Sequence, residues 1–228
     1  MKKRVLSLLM ALTLCFSMLP TAALAEEAGA APGGGDTDSS GEIQGSEAGT
    51  HTAHCVCGGN GEVNGHTHST DTTWTAVDSL PDSAGSYYLT QSVSENWTVP
   101  AGEVNLCLNG QTINGKITVG SGATLTLTDC IGSGKLQGSG SGSGVSINGG
   151  TFNLYGGTIT GFVNGVEIGS HTSSIKTGSS FTMYGGAIAS NEAFSGGGGG
   201  VFLVGTTNSD VTAPSFTMHG GTISDNTA

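Results

Sequence analysis

A parallel β-helix, built from short strands wound into stacked coils of three, is the all-β fold class that this sequence predicts. Three observations carry the prediction. First, "SFTMYGGAIASN" from Ser180 recurs as "SFTMHGGTISDN" from Ser215, and a looser version, "TFNLYGGTITGF", starts at Thr151. A stack of similar units needs such repetition, because each unit buries its apolar face only against the next. Second, the 228 residues include 41 glycines while only 10% are charged, so turns replace side-chain variety. Third, the apolar residues return at regular steps.

Those steps define the coil. Val145 to Phe152, Phe152 to Ile159 and Ile159 to Val166 are each 7 residues, giving a unit of 21. In the next unit the steps from Val166 to Phe181, Phe181 to Ile188 and Ile188 to Val201 are 15, 7 and 13, so the unit of 35 carries insertions at two turns only. From Val201 the steps of 15 to Phe216 and 7 to Ile223 repeat. Within each segment apolar residues alternate, as in Val145/Ile147 and Phe181/Met183, the period of a strand with one buried face. The pairs Gly156-Gly157, Gly185-Gly186 and Gly220-Gly221 fall between the Phe and Ile strands, where a sharp corner needs dihedrals that a Cβ disfavours. Asn191 and Asn226 close two units at the same offset; Asn tolerates the left-handed conformation and stacks its amide, so a structural corner is expected there. Phe162 replaces it in the first unit.

Upstream, residues 1–25 read as a secretory signal peptide: Lys2, Lys3 and Arg4 precede the apolar stretch Val5 to Leu19, and Ala23-Leu24-Ala25 fits a cleavage site. Residues 26–50, rich in Gly, Ala, Ser, Asp and Glu, lack the apolar content to fold and are expected to be a disordered linker. Residues 51–72 form a His/Cys-rich segment. The β-helix is expected over 73–228, with β-rich runs such as "GSYYLTQSV", "EVNLCLNGQTI" and "ATLTLTDC" as its first coils. Because the chain stops at "SDNTA", where the preceding unit continues into "SNEAFSGGGGGVFLV", a fragment truncated at its C-terminus is expected.

Loss of the signal peptide removes three of six basic residues and none of seventeen acids, leaving 3 − 17 = −14. Lys116, Lys135 and Lys176 are then the only cations besides histidine. Such a surface disfavours nucleic acid, anionic lipid and acidic polysaccharides. Membrane contact is expected only through the cleaved signal.

"GSYYLT", "NWTVP", "NLCLNGQTI", "LTLTDC" and the repeated "FTMxGGxIS" resemble secreted, adhesin-like surface proteins of Gram-positive gut bacteria over roughly residues 65–228. That resemblance implies a right-handed, pectin-lyase-like β-helix displayed on the cell surface or secreted. A weaker similarity links "GGAIASN" to the repeats of polymorphic autotransporters, though the separate FxxN tetrapeptide is lacking. Lyase chemistry on this fold would need calcium-binding carboxylates and a basic residue, usually Arg, whereas the chain beyond residue 25 has no Arg. Asp129, Glu167, Glu192, Asp210 and Asp225 sit at different offsets in the repeat, which does not suit the paired acids of a hydrolase. No enzyme activity is therefore expected.

Two constellations and one cysteine pair remain. In "HTAHCVCGGNGEVNGHTH", His51, His54, Cys55, Cys57, His66 and His68 offer six ligands within eighteen residues, enough for a structural zinc site, although Cys-x-Cys is not a finger spacing. Cys107 and Cys130, 23 residues apart, are about one coil apart and form either a disulfide or a pair of stacked thiols. The second constellation is Tyr155, Tyr184 and His219, which share one offset and so form an outer ladder, serving as a glycan-binding face or as packing between coils. His171 falls in an inserted loop and is read as solvated. The expected function is an adhesin-like module for glycans or for host or microbial proteins. The alternatives are a degenerate pectin-lyase-like enzyme or a structural stalk.

Overall fold

Short runs of alternating apolar and hydroxyl residues can bury one face only by winding around a common axis, and the chain does so. The protein is described by a computed structural model over residues 51, 54–56, 72–169, 178–194, 197–205 and 212–228. All lie in the unit Ser46–Ala228. No helix occurs among them.

The first strands are β1 (Thr75–Val77), β2 (Gly85–Leu89) and β3 (Trp97–Thr98). Regular coils of three follow: β4 (Gly102–Cys107), β5 (Thr112–Asn114) and β6 (Ile117–Gly120), then β7 (Ala123–Thr128), β8 (Lys135–Gln137) and β9 (Ser143–Asn148). The next coil comprises β10 (Thr151–Leu154), β11 (Thr158–Thr160) and β12 (Asn164–Ile168), and the one after it β13 (Ser180–Met183), β14 (Ala187–Ala189) and β15 (Val201–Leu203). β16 (Ser215–Met218) and β17 (Thr222–Ser224) complete the described residues. Each turn of the solenoid adds one strand to each wall. The walls are three parallel sheets, ordered β1-β2-β4-β7-β10-β13-β16, β5-β8-β11-β14-β17 and β3-β6-β9-β12-β15.

Register follows the spacing of the apolar residues. Val145 pairs with Val166 and Val166 with Val201; Phe152 pairs with Phe181 and Phe181 with Phe216; Ile159 pairs with Ile188 and Ile188 with Ile223. The lengthened unit keeps this register. In the coil containing β2 and β3, a lone bridge from Val93 to Ile113 stands where later coils have a full strand.

Like stacks on like inside the solenoid. Phe152 and Phe181 are fully buried, their rings 5.1 Å apart and nearly parallel, and Phe181 continues onto Phe216 at 5.0 Å. The double-glycine corners divide their labour. A Cβ on Gly185 would stand 2.4 Å from the Tyr155 carbonyl oxygen of the coil beside it, whereas Gly186 needs its φ of +76°. Gly185 permits close approach alone, whereas Gly186, whose added Cβ would stand 2.7 Å from the Gly157 carbonyl oxygen, permits both the approach and the bend.

At the next corner of the coil, beyond the Ile strand, lies an amide ladder, and its conformation differs in detail from expectation. The left-handed residues are Ser190 and Asp225, both at φ 55°, each one place before the asparagine. Asn191 is present for its amide: its Oδ1 accepts from Phe162 N–H (3.0 Å), and its Nδ2 donates to the carbonyls of Ile159 and Ala189 and to Asn226 Oδ1. The residue is fully buried, so this set of partners offsets the loss of its hydration.

Candidate functional site

Strand alternation determines which side chains face outward on the seven-stranded sheet. Val104, Leu106, Leu125, Leu127, Phe152 and Leu154 enter the core, so the residues between them line the outer face. One outer row follows the register Ser86, Asn105, Thr126, Asn153, Thr182, Thr217. Asn105 Nδ2 donates to Ser86 Oγ at 3.0 Å, and Asn153 Nδ2 lies 3.5 Å from Thr126 Oγ1. The result is a strip of short hydroxyl and amide groups held on a regular backbone.

A second row runs beside it. Tyr155 and Tyr184 stack with ring centroids 4.4 Å apart and planes 6° from parallel, and Tyr184 stacks on His219 at 5.0 Å and 13°. Both tyrosines are half-buried and His219 is exposed. The ladder expected from the common offset is thus present as geometry. Its neighbours occupy both faces of the Tyr184 ring.

Towards β2 the same row changes chemistry. Tyr88 pairs with Cys107, and Cys107 with Thr128, so Cys130 falls two places beyond the stacked position. Cys107 and Cys130 are thiols with sulfur atoms 3.4 Å apart, far outside the bonding distance of a disulfide. Cys107 S–H donates to Cys130 Sγ, and Cys130 S–H to Asn109 Oδ1 at 3.6 Å.

The His-rich segment meets this pair. His51 lies over Tyr88 with centroids 4.0 Å apart and planes 7° from parallel, and His54 packs on Trp74 at 4.6 Å. Trp74 Nε1–H donates to the His54 carbonyl at 2.8 Å, anchoring the segment just before β1. His54 is buried, and its Nδ1 is 2.6 Å from the Cys55 carbonyl oxygen. A carbonyl only accepts, so Nδ1 carries the proton, and the Nε2 of neutral His54 presents a lone pair. That Nε2 is 2.9 Å from His51 Nε2. One ligand atom from each of His51, His54, Cys107 and Cys130 lies within 4.8 Å of all the others.

The electrostatics follow from burial. Desolvation by burial, with a smaller contribution from the neighbouring His54 imidazole, lowers the His51 pKa to about 4, so its imidazole is neutral near pH 7. Burial pushes the thiol pKa of both Cys107 and Cys130 upward, so each holds its proton when no cation is present.

Of the six ligands proposed from the local segment, His51 and His54 enter this group. Cys55 is buried but serves it through its backbone carbonyl, not as one of the four clustered atoms. Cys57, His66 and His68 lie outside the described residues, as does His171. Spacing missed the union of the two sets, and also the roles of Trp74 and Tyr88. The signal was nevertheless present: in Val104-Asn105-Leu106-Cys107 the valine and leucine face inward, so the cysteine faces outward, where a buried thiol needs something to cover it.

Two carboxylates of the coils are held by hydrogen bonds within the solenoid. Asp129 accepts from Gly110 N–H (2.7 Å) and Gly134 N–H (2.6 Å), and Glu167 accepts from the Ser143 hydroxyl. Asp210 lies outside the described residues. A shallow polar groove is lined by Asn96, Asn114, Lys116, Gln137 and Ser139. Comparison with protein-family models, curated proteins and solved structures finds no match, so the side chains themselves carry the functional argument.

Proposed function

We propose that the chain is a secreted or surface-displayed solenoid that works by binding, an adhesin-like module whose ligand lies along the outer face of the seven-stranded sheet. One observation carries this reading: the stacked row Tyr155, Tyr184, His219 runs beside the polar row Asn153, Thr182, Thr217. Regularly spaced phenol, hydroxyl and amide groups on a stiff backbone suit an extended partner that presents many hydroxyls, for which a glycan is the favoured chemistry. Recognition uses ring edges and phenol oxygens, because neighbouring rings already cover the faces of Tyr184.

The same covered faces favour a second reading, a stalk in which the ladder only locks coil to coil. The two readings separate in a polysaccharide and glycoprotein binding array, with product analysis of every well. The binding reading predicts saturable retention without new reducing ends or unsaturated products. It also predicts loss of that retention in Tyr155→Ala/Tyr184→Ala protein that keeps its β-sheet circular dichroism. Cleavage products would establish an enzyme instead, and silence across the array would leave the stalk.

A further inference from the structure

We propose that His51, His54, Cys107 and Cys130 bind one zinc ion, forming a clasp that fastens the His-rich segment across the outer face of the first coils. The donor set is two imidazoles and two thiols, a combination that suits tetrahedral zinc with no open position and therefore a structural role. It draws two ligands from each of two pieces of chain that are more than fifty residues apart in sequence, so the ion closes a large loop.

Each pair already stands near the required geometry. Zinc–sulfur bonds of about 2.3 Å and zinc–nitrogen bonds of about 2.0 Å imply tetrahedral edges of roughly 3.8 and 3.3 Å. The sulfurs are 3.4 Å apart and the two Nε2 atoms 2.9 Å apart. Opening each pair by about 0.4 Å, and drawing the histidine and cysteine pairs together from separations of up to 4.8 Å toward a nitrogen–sulfur edge of roughly 3.5 Å, makes room for the ion. The orienting groups are also in place. The Cys55 carbonyl holds the His54 Nδ1 proton and leaves Nε2 to ligate, which is how outer partners commonly fix a metal-bound imidazole. Tyr88 and Trp74 set the planes of the two rings. Binding displaces the two thiol protons to solvent, and His51 ligates through Nε2 by carrying its proton on Nδ1. The products are a zinc dithiolate and two protons, with no change of oxidation state.

The clasp has a structural purpose. A solenoid must cover its first coil, and β1 and β2 are reached through a segment that is short of apolar residues. A metal crosslink holds that segment without a hydrophobic core of its own.

The test uses the purified 228-residue chain under reducing conditions, stripped by a chelator and titrated with cobalt(II), then zinc(II). The clasp predicts one equivalent of cobalt, tetrahedral visible bands, thiolate-to-metal charge transfer and displacement by zinc. His51→Ala/His54→Ala and Cys107→Ser should each weaken binding beyond the roughly 10–100-fold cost of losing an outer-sphere partner. Cys55→Ser/Cys57→Ser should retain it. Limited proteolysis supplies a second readout: zinc should protect the chain around His51 to Val56, and the double histidine variant should lose that protection while its coils stay resistant. Absence of binding to the unaltered chain, or full affinity in either ligand variant, overturns the proposal. Mapping of a Cys107–Cys130 disulfide in the zinc-treated protein overturns it equally.

Discussion

Asn191 shows how one polar side chain can hold a corner that packing alone would leave unsatisfied. Its amide uses both ends: Oδ1 takes the buried Phe162 N–H, and Nδ2 serves carbonyls and Asn226. Asn191→Ala strands the Phe162 donor and is expected to destabilise the fold by about 1–3 kcal/mol, the cost of a buried donor left unpaired. Urea titration checks this, and a change under about 0.5 kcal/mol would mean that the corner relaxes to find water. Repetition made this residue visible in the sequence, but not its mechanism. The offset after Ile188 marks a corner, whereas only the dihedrals show that Ser190 takes the strained conformation and Asn191 the hydrogen bonds. The proposed zinc ligands were half legible for a related reason. A His/Cys-rich run announces metal chemistry, yet spacing says nothing about which remote strand supplies the remaining ligands. Coil lengths also vary: Tyr88 to Cys107 is 19 residues and Cys107 to Thr128 is 21, so one coil length cannot place Cys130.

At the scale of the strand and its corner, the close approach of coils decides which substitutions the solenoid tolerates. Gly185 faces the Tyr155 carbonyl so closely that an added Cβ would have to push two coils apart or break the Phe181 stack. Gly185→Ala is therefore expected to lower stability by roughly 1–3 kcal/mol, the range for overpacking a well-filled site. Gly205→Ala is the control, because an added Cβ there meets nothing within 4 Å and the backbone has no positive φ. Its effect should stay within about ±0.5 kcal/mol. Equal losses in thermal or urea unfolding would show that chain entropy, not the approach of coils, sets the glycine requirement. The strands themselves were the most legible elements, since the alternation around Val145, Phe152 and Ile159 shows in every unit. The bridge at Val93 was not, because a single paired residue carries no period.

For the molecule as a whole, charge constrains the partner more firmly than shape does. Residues 26–50 contain six acids and no base, and residues 51–228 contain eleven acids against three lysines, or −8. A polyanion approaching this surface meets like charge, within a Debye length of about 10 Å at 0.1 M salt. Hydroxyl-to-hydroxyl recognition of a neutral glycan escapes that penalty. Retention of neutral polysaccharide is therefore expected to change little with salt, whereas heparin and pectate should be retained weakly or not at all at low ionic strength. Measuring both across a salt series separates the mechanisms, because attraction between opposite charges weakens as salt rises. Salt-sensitive retention of a polyanion would overturn the expectation and direct attention to Lys116, the one cation in the polar groove with Asn96, Asn114 and Gln137. In that event Lys116→Gln should abolish retention while Tyr155→Ala/Tyr184→Ala leaves it intact, placing the binding surface on a different wall from the aromatic row.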